Sequence, residues 1–234
     1  MRVPSPPGPA RGSRRARVRS VAGAIVLSAA LTLAGVLHGM PASAAVKPTL
    51  SAPTMRTGYG TVTLSGTARA GARVTLYESA ISINDMQPAK DWEHGGGVVR
   101  VTADRHGRFR IVRYVDTGFL FAVKADRRMS AKRRVLVRVL PTIELSSPAA
   151  GAVQVHVEAS PNEDGLAVRI QRVGTDGVWV TVATGVTDKV GFYNHRLTEQ
   201  SPGNHEYRAL IAGDPSNGVL ENHSGGAYVR VLGA

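Results

Sequence analysis

Apolar and polar residues alternate along most of this chain. The pattern runs through Val62-Thr63-Leu64-Ser65, Arg73-Val74-Thr75-Leu76-Tyr77, Phe109-Arg110-Ile111, Phe119 to Val123, and Val135-Leu136-Val137-Arg138-Val139. It resumes in Val153-Gln154-Val155-His156-Val157, Val168-Arg169-Ile170 and Tyr228-Val229-Arg230-Val231. Successive side chains of a strand point to opposite faces, so period two predicts strands with one buried and one wet face. The runs are short and bounded by Gly, Pro, Asn or Asp. That predicts an all-β chain of antiparallel sheets, closed into sandwiches or a barrel. After residue 45 no long window repeats apolar residues at helical spacing, so no long helix is expected there.

One segment breaks the alternation. The basic run Arg14-Arg15-Ala16-Arg17-Val18-Arg19 leads into an uncharged apolar run from Val21 to Leu37, and Ala42-Ser43-Ala44 follows. This is the order of a secretory leader, with a cut expected after Ala44. The apolar run falls short of the roughly 20 residues that usually span a bilayer. Gly23, Ser28, Thr32 and Gly35 also interrupt it. Residues 1–44 are therefore expected to be a cleaved signal peptide. The remainder is expected to be secreted or extracellular, with cell-wall association open and no stable membrane span after cleavage.

Composition narrows the chemistry. The chain has no cysteine. Disulfides, thiol redox chemistry and thiolate zinc sites are all excluded, so each domain rests on its own core. The formal net charge of +12 is unevenly spread. Residues 45–140 hold 17 basic and 7 acidic residues, a net of +10, and residues 141–234 hold 6 and 10, a net of −4. A basic half beside an acidic one implies different partners, or a basic half turned toward a polyanion.

The halves read as two copies of one unit. Asp104-x-x-Gly107-x-Phe109 matches Asp188-x-x-Gly191-x-Tyr193. Ser130 precedes Val135 and Val137 by the same steps as Ser224 precedes Val229 and Val231. The Asp-x-x-Gly element reads as a hairpin turn, with Gly supplying positive φ and the Asp side chain closing it. Domains are expected at 45–140 and 141–234. Pro141 lies in the junction Val139–Ile143 and should make it semi-rigid.

Val62 to Tyr77, with Gly66 and the turn Arg69-Ala70-Gly71-Ala72, resembles the opening hairpin of bacterial immunoglobulin-like repeats. Tyr207-Arg208-Ala209, followed by Gly218, Ser224 and Val229, is similar to the last hairpin of fibronectin type III modules. The resemblance implies two tandem immunoglobulin-like β-sandwich domains, with Tyr207 pinning a loop through its hydroxyl. The Ala-, Arg-, Val- and Gly-rich composition resembles exported proteins of high-GC Gram-positive bacteria. No particular activity is implied, because such folds host many functions.

Catalytic patterns fail one by one. His205-Glu206 starts a zinc-protease motif, but Ala209 stands where the second histidine belongs. His223-Ser224-Gly225-Gly226 lacks the flanking Asp and Pro of a serine-protease nucleophile loop, and no Gly-x-Ser-x-Gly elbow occurs. Gly95-Gly96-Gly97 lacks the Lys-Ser/Thr of a phosphate loop. No catalytic residue, metal ligand set or cofactor is assigned, and the chain reads as a non-enzyme.

Two stretches remain. Asn84 to Gly97 has no counterpart in the other half, and Trp92 stands there among Asp91, Glu93 and His94 as a candidate recognition tip. The alternatives are a Trp92 folded onto the sandwich edge, or calcium held by Asp85, Asp91 and Glu93. The second stretch is basic. Arg108 and Arg110 lie opposite Phe109 and Ile111, and Lys132, Arg133, Arg134 and Arg138 flank Val135, Val137 and Val139. If these strands share a sheet, a positive stripe results, suited to wall teichoic acid; solvated faces would leave the same pattern. Interleaved aromatics are lacking, so specific nucleic-acid binding is not expected. The sequence thus points to a secreted, non-enzymatic binding or structural module at the cell envelope. Its expected partner is an unknown protein or an anionic wall polymer. The alternative is an extracellular hydrolase or a protease inhibitor acting through the 84–97 loop.

Overall fold

Inward-facing valines, leucines and phenylalanines from two facing sheets make the first of two cores. The structure, a computed structural model, describes residues 46–233; the leader and its expected cut lie outside the described residues. The strands of the first half are β1 (Met55–Thr57), β2 (Gly60–Thr67), β3 (Arg73–Ala80), β4 (Gln87–Pro88), β5 (Lys90–Asp91) and β6 (Gly97–Val98). They continue with β7 (Arg100–Thr102), β8 (Arg108–Val115), β9 (Phe119–Ala125), β10 (Arg128–Met129) and β11 (Arg133–Arg138).

β2 and β8 pair antiparallel, from Gly60 opposite Val115 to Thr67 opposite Arg108. The larger sheet runs β1-β11-β9-β3-β4, with β7 also on β3 and β10 on β9. Val62, Leu64 and Ile111 from the small sheet meet Leu76, Phe121 and Val135 from the large one. Full burial of one such side chain contributes about 1.5–3 kcal/mol, so a register slip that turned a strand over would cost its whole inward set.

The second half repeats the plan with β12 (Leu140–Ser146), β13 (Val153–Ser160), β14 (Ala167–Val173), β15 (Trp179–Val186), β16 (Phe192–Leu197) and β17 (Gly203–Ile211). β18 (Val219–Leu220), β19 (Asn222–His223) and β20 (Ala227–Val231) complete it. One sheet runs β12-β13-β16 and the other β15-β14-β17-β19, with β20 also on β17. Val155, Val157, Val168, Ile170, Tyr207 and Ile211 form the second core. The described residues thus form two β-sandwiches in tandem. Tyr207 is fully buried, and its hydroxyl donates to Gln200 Oε1 at 2.8 Å. Gln200 Nε2 in turn donates to Thr198 O at 2.8 Å. The corner tyrosine therefore pins its loop through a glutamine side chain.

Three expectations need correction. The Asp-x-x-Gly elements are not hairpin turns. β7 pairs with β3 while β8 pairs with β2, and β15 pairs with β14 while β16 pairs with β13. Each element therefore carries the chain from one sheet to the other. The local chemistry is as expected: Gly107 and Gly191 have φ of 74° and 77°. Asp104 Oδ1 accepts the His106 and Arg108 amides, both at 2.8 Å, and Asp188 Oδ1 accepts those of Val190 and Phe192 at 3.0 and 2.9 Å. One backbone bond crosses each turn, from the Asp104 amide to Arg108 O at 2.8 Å and from the Asp188 amide to Phe192 O at 2.7 Å, and beyond it the strands part into opposite sheets. Val62 to Tyr77 is likewise no hairpin, because β2 and β3 lie in opposite sheets. Lastly, not every pairing is antiparallel: β1 and β18 both run parallel to β11.

β18 belongs to the second half yet pairs within the first half's larger sheet, Val137 opposite Val219 and Arg138 opposite Leu220. Val139 alone separates β11 from β12, and it is buried in the second core. The loop preceding β18 seats on the first half as well. Asn217 O accepts the Gly118 amide at 2.8 Å and the Thr117 hydroxyl at 2.9 Å. Asn222 Nδ2 donates to Val139 O at 2.9 Å.

Candidate functional site

The stretch Asn84 to Gly97 is pinned at its middle rather than free. Gln87 and Pro88 pair with Glu78 and Tyr77, and Lys90 and Asp91 pair with Val98 and Gly97. Ala89 between them is buried, donating its amide to Leu76 O and accepting that of Val99. Residues 92–96 form the tip between the paired Asp91 and Gly97. There the Gly96 amide meets Asp91 O at 2.6 Å, and His94 Nδ1 lies 2.9 Å from Asp91 Oδ1. This hydrogen bond lowers the Asp91 carboxyl below its usual range and raises the His94 imidazole above its own. Trp92 is 76% exposed, so the tip does not fold the indole onto the sandwich edge.

Below the tip lies a cleft of about 560 Å³. Asp91, Trp92, Glu93 and His94 line one side; Glu78 of β3 and Arg113 of β8 lie deeper, with Tyr114 and Asp116 beyond them. Arg113 holds an inward-facing position near the end of β8, where an apolar side chain would continue the core. Instead its Nε donates to Glu78 Oε2 at 2.7 Å, and Nη2 to Oε1, tying the two sheets together. That pairing raises the Arg113 guanidinium further above its ordinary value. The Tyr114 phenol is raised too, first by desolvation and then by the Asp116 charge. Tyr59 and Tyr114 stand beside the cleft with ring centroids 6.2 Å apart.

Sequence reasoning found the four tip residues and missed Glu78, Arg113, Tyr114 and Asp116. An arginine at an otherwise apolar alternating position, set against a carboxylate at another, was the available signal. Asp85, offered as a calcium ligand, accepts from Gln87 Nε2 at 2.8 Å, and no metal-holding group of three or more His, Asp or Glu occurs among the described residues.

The condition for a single positive stripe, that these strands share a sheet, is not met. Arg108 and Arg110 lie on β8 in the small sheet, whereas Arg133, Arg134 and Arg138 lie on β11 in the larger one. The alternation is read correctly on each strand, but strand adjacency is a property of topology, and these two fall in opposite layers. Arg110 instead donates to Thr63 Oγ1 at 3.0 Å across its own sheet. Lys132 reaches Asn84 Oδ1 at 3.3 Å and Arg133 donates to Leu50 O at 2.7 Å, so both serve local packing.

A different basic face exists on the larger sheet. Its outward positions carry Arg100 on β7, Arg73 on β3, Lys124 on β9, and Arg134 and Arg138 on β11. Arg100 and Lys124 flank Thr75 in one cross-strand row, about 10 Å apart by two strand spacings. No outward strand position of this sheet is Asp or Glu among the described residues, since Glu78 points inward to Arg113. None of the five basic side chains joins an ion pair with another described residue.

In the second half, Ser224 is buried and its hydroxyl donates to Gly225 O at 2.8 Å. The same oxygen accepts the Ala209 amide at 3.0 Å, so the hydroxyl is held within its own corner. No helix among the described residues is long and apolar enough to cross a membrane.

No family model and no curated protein matches the sequence. Among solved structures, the chain is similar to the Yersinia pseudotuberculosis adhesin InvE at 15% identity and a TM-score of 0.35, covering 79% of this chain and 58% of that one. It is also similar to a tetra-tandem repeat from the extending region of a large adhesion protein, at 17% identity and a TM-score of 0.36, covering 78% and 49%. The FN1–FN3 domains of chicken CNTN1 match at 9% identity and a TM-score of 0.29, covering 80% and 67%. The chain thus spans about half the length of the two adhesion structures.

Proposed function

We propose that this protein is a non-enzymatic binding module of the cell envelope, and that the larger sheet of its first half rests on anionic wall polymer. The observation that carries the reading is the outward face of that sheet: Arg73, Arg100, Lys124, Arg134 and Arg138, with no Asp or Glu at an outward strand position among the described residues. A face so composed attracts a flexible polyanion without needing a shaped pocket, because each neutralised phosphate releases a counterion. The strands hold the cations on a rigid, regularly spaced grid, which limits the side-chain ordering that binding must offset.

The test is binding to purified wall teichoic acid across a salt series. Five contacts at about 0.7 each predict that log K falls by about 3.5 per decade of salt. Binding that ignores salt, or equal binding to a neutral glucan, contradicts the proposal.

A further inference from the structure

We propose a second site: the cleft under Trp92 takes an ammonium group on an apolar stem, presented by a lysine-bearing segment of a protein partner. It uses residues separate from the basic sheet face and stands independently of it.

The distribution of carboxylates is the first argument. Residues 45–140 hold 7 acidic residues against 17 basic ones. Three have local duties: Asp104 closes a turn, Asp126 pairs with Arg69, and Asp85 accepts from Gln87. The other four, Glu78, Asp91, Glu93 and Asp116, all line this one cleft. Glu78 is matched by Arg113, and Asp91 holds His94. Glu93 and Asp116 have no ion-pair partner among the described residues. Gathering like charges at one place is unfavourable for the free protein, and a bound cation reverses the sign of that interaction.

The walls are the second argument. An indole face attracts a cation through its quadrupole, and Trp92 stands 76% exposed at the rim. Val99, Val112 and Phe119 supply apolar surface along the same cleft, and Val112 is 57% exposed. Apolar wall, aromatic rim and unmatched carboxylates together fit a methylene stem ending in an ammonium. An anion meets the unmatched carboxylates of Glu93 and Asp116 there, and a neutral group leaves them unused. The cleft of about 560 Å³ is ample for one long side chain.

The chain has two tryptophans, Trp92 and Trp179, so an amide-proton NMR spectrum shows two indole signals. Trp179 lies in the second half, stacked with Arg208 at 4.4 Å, and serves as the internal reference. The probe is a tetralysine peptide, with its side-chain-acetylated form as the neutral counterpart. Tetralysine should shift the Trp92 indole signal saturably and leave that of Trp179 in place. The acetylated peptide should do neither. The double variant Glu93→Gln/Asp116→Asn alters two exposed side chains and should weaken tetralysine about tenfold. The same loss of charge at Glu144→Gln/Glu199→Gln should leave affinity unchanged. No saturable shift of Trp92, equal binding of the acetylated peptide, or equal weakening by the two double variants would overturn the proposal.

Discussion

Ser224 does in the second half what Ser130 does in the first. Ser224 Oγ accepts the Ala209 amide at 3.0 Å while its own amide goes to Ala209 O at 2.8 Å. Ser130 Oγ accepts the Val123 amide at 3.0 Å while its amide goes to Val123 O at 2.9 Å. Both serines are buried, and each hydroxyl donates onward to the next residue's carbonyl. Serine is the smallest side chain that can take a buried strand amide and return a proton to the loop. The shared spacing from serine to the inward valines thus marks one hydrogen-bonded corner made twice.

Ser130→Ala and Ser224→Ala should each destabilise by about 1–3 kcal/mol, because a buried strand amide loses its acceptor. Thermal unfolding should register each as a drop of about 5 °C, given about 2–4 °C per kcal/mol for a unit of this size. A neutral outcome at both sites would mean that water replaces the hydroxyl.

Gly118→Ala should uncouple the halves. A Cβ at Gly118 would fall 2.6 Å from Asn217 O and 2.7 Å from Gly218 Cα, so backbone must move on one side. Overpacking of this kind costs about 1–3 kcal/mol. Here it acts on the loop that delivers β18 to β11. Calorimetry should resolve one unfolding peak into two, and an unchanged single peak would contradict the docking role.

Glu163→Gln should stabilise the protein at neutral pH. Burial raises the Glu163 carboxyl above its ordinary range, and the charges of Asp214 and Asp116 raise it further. The folded state therefore binds this proton more tightly than the unfolded state does. The stability it contributes is complete below the unfolded value near about 4.3 and is lost as pH rises through the folded value. The variant's advantage, below about 1 kcal/mol for this half-buried group, should appear at pH 7 and close on acidification. Urea midpoints measured across that range check the sign.

The strands were legible because period two is a local signal. Val62 and Leu64, or Val155 and Val157, declare their inward face without reference to any partner. What escaped was which strand lies beside which. Nothing near Asp104 tells that the chain is changing sheets, because the Asp side chain and the positive φ of Gly107 serve a crossover as well as a hairpin. Hence Arg108 and Arg134 could be placed on their strands but not in their layers. Trp92 was legible as a feature of an unmatched segment. Glu78 and Arg113 were not, since an ion pair 35 residues apart is visible only once the sheets face each other. β18 was hidden for the same reason: Val219 and Leu220 are too short a run to show periodicity, and their partner lies in the other half.

On the proposed reading, the outward face of the larger sheet, and not positive charge in general, holds an anionic polymer. The most direct test compares two double charge reversals, Lys124→Glu/Arg134→Glu on that sheet and Arg108→Glu/Arg110→Glu on the small one. Both change net charge equally and replace exposed side chains only. Affinity for wall teichoic acid at moderate salt should fall at least about tenfold for the first pair and about twofold or less for the second. Equal losses in the two variants would show that binding follows overall charge and would contradict the account.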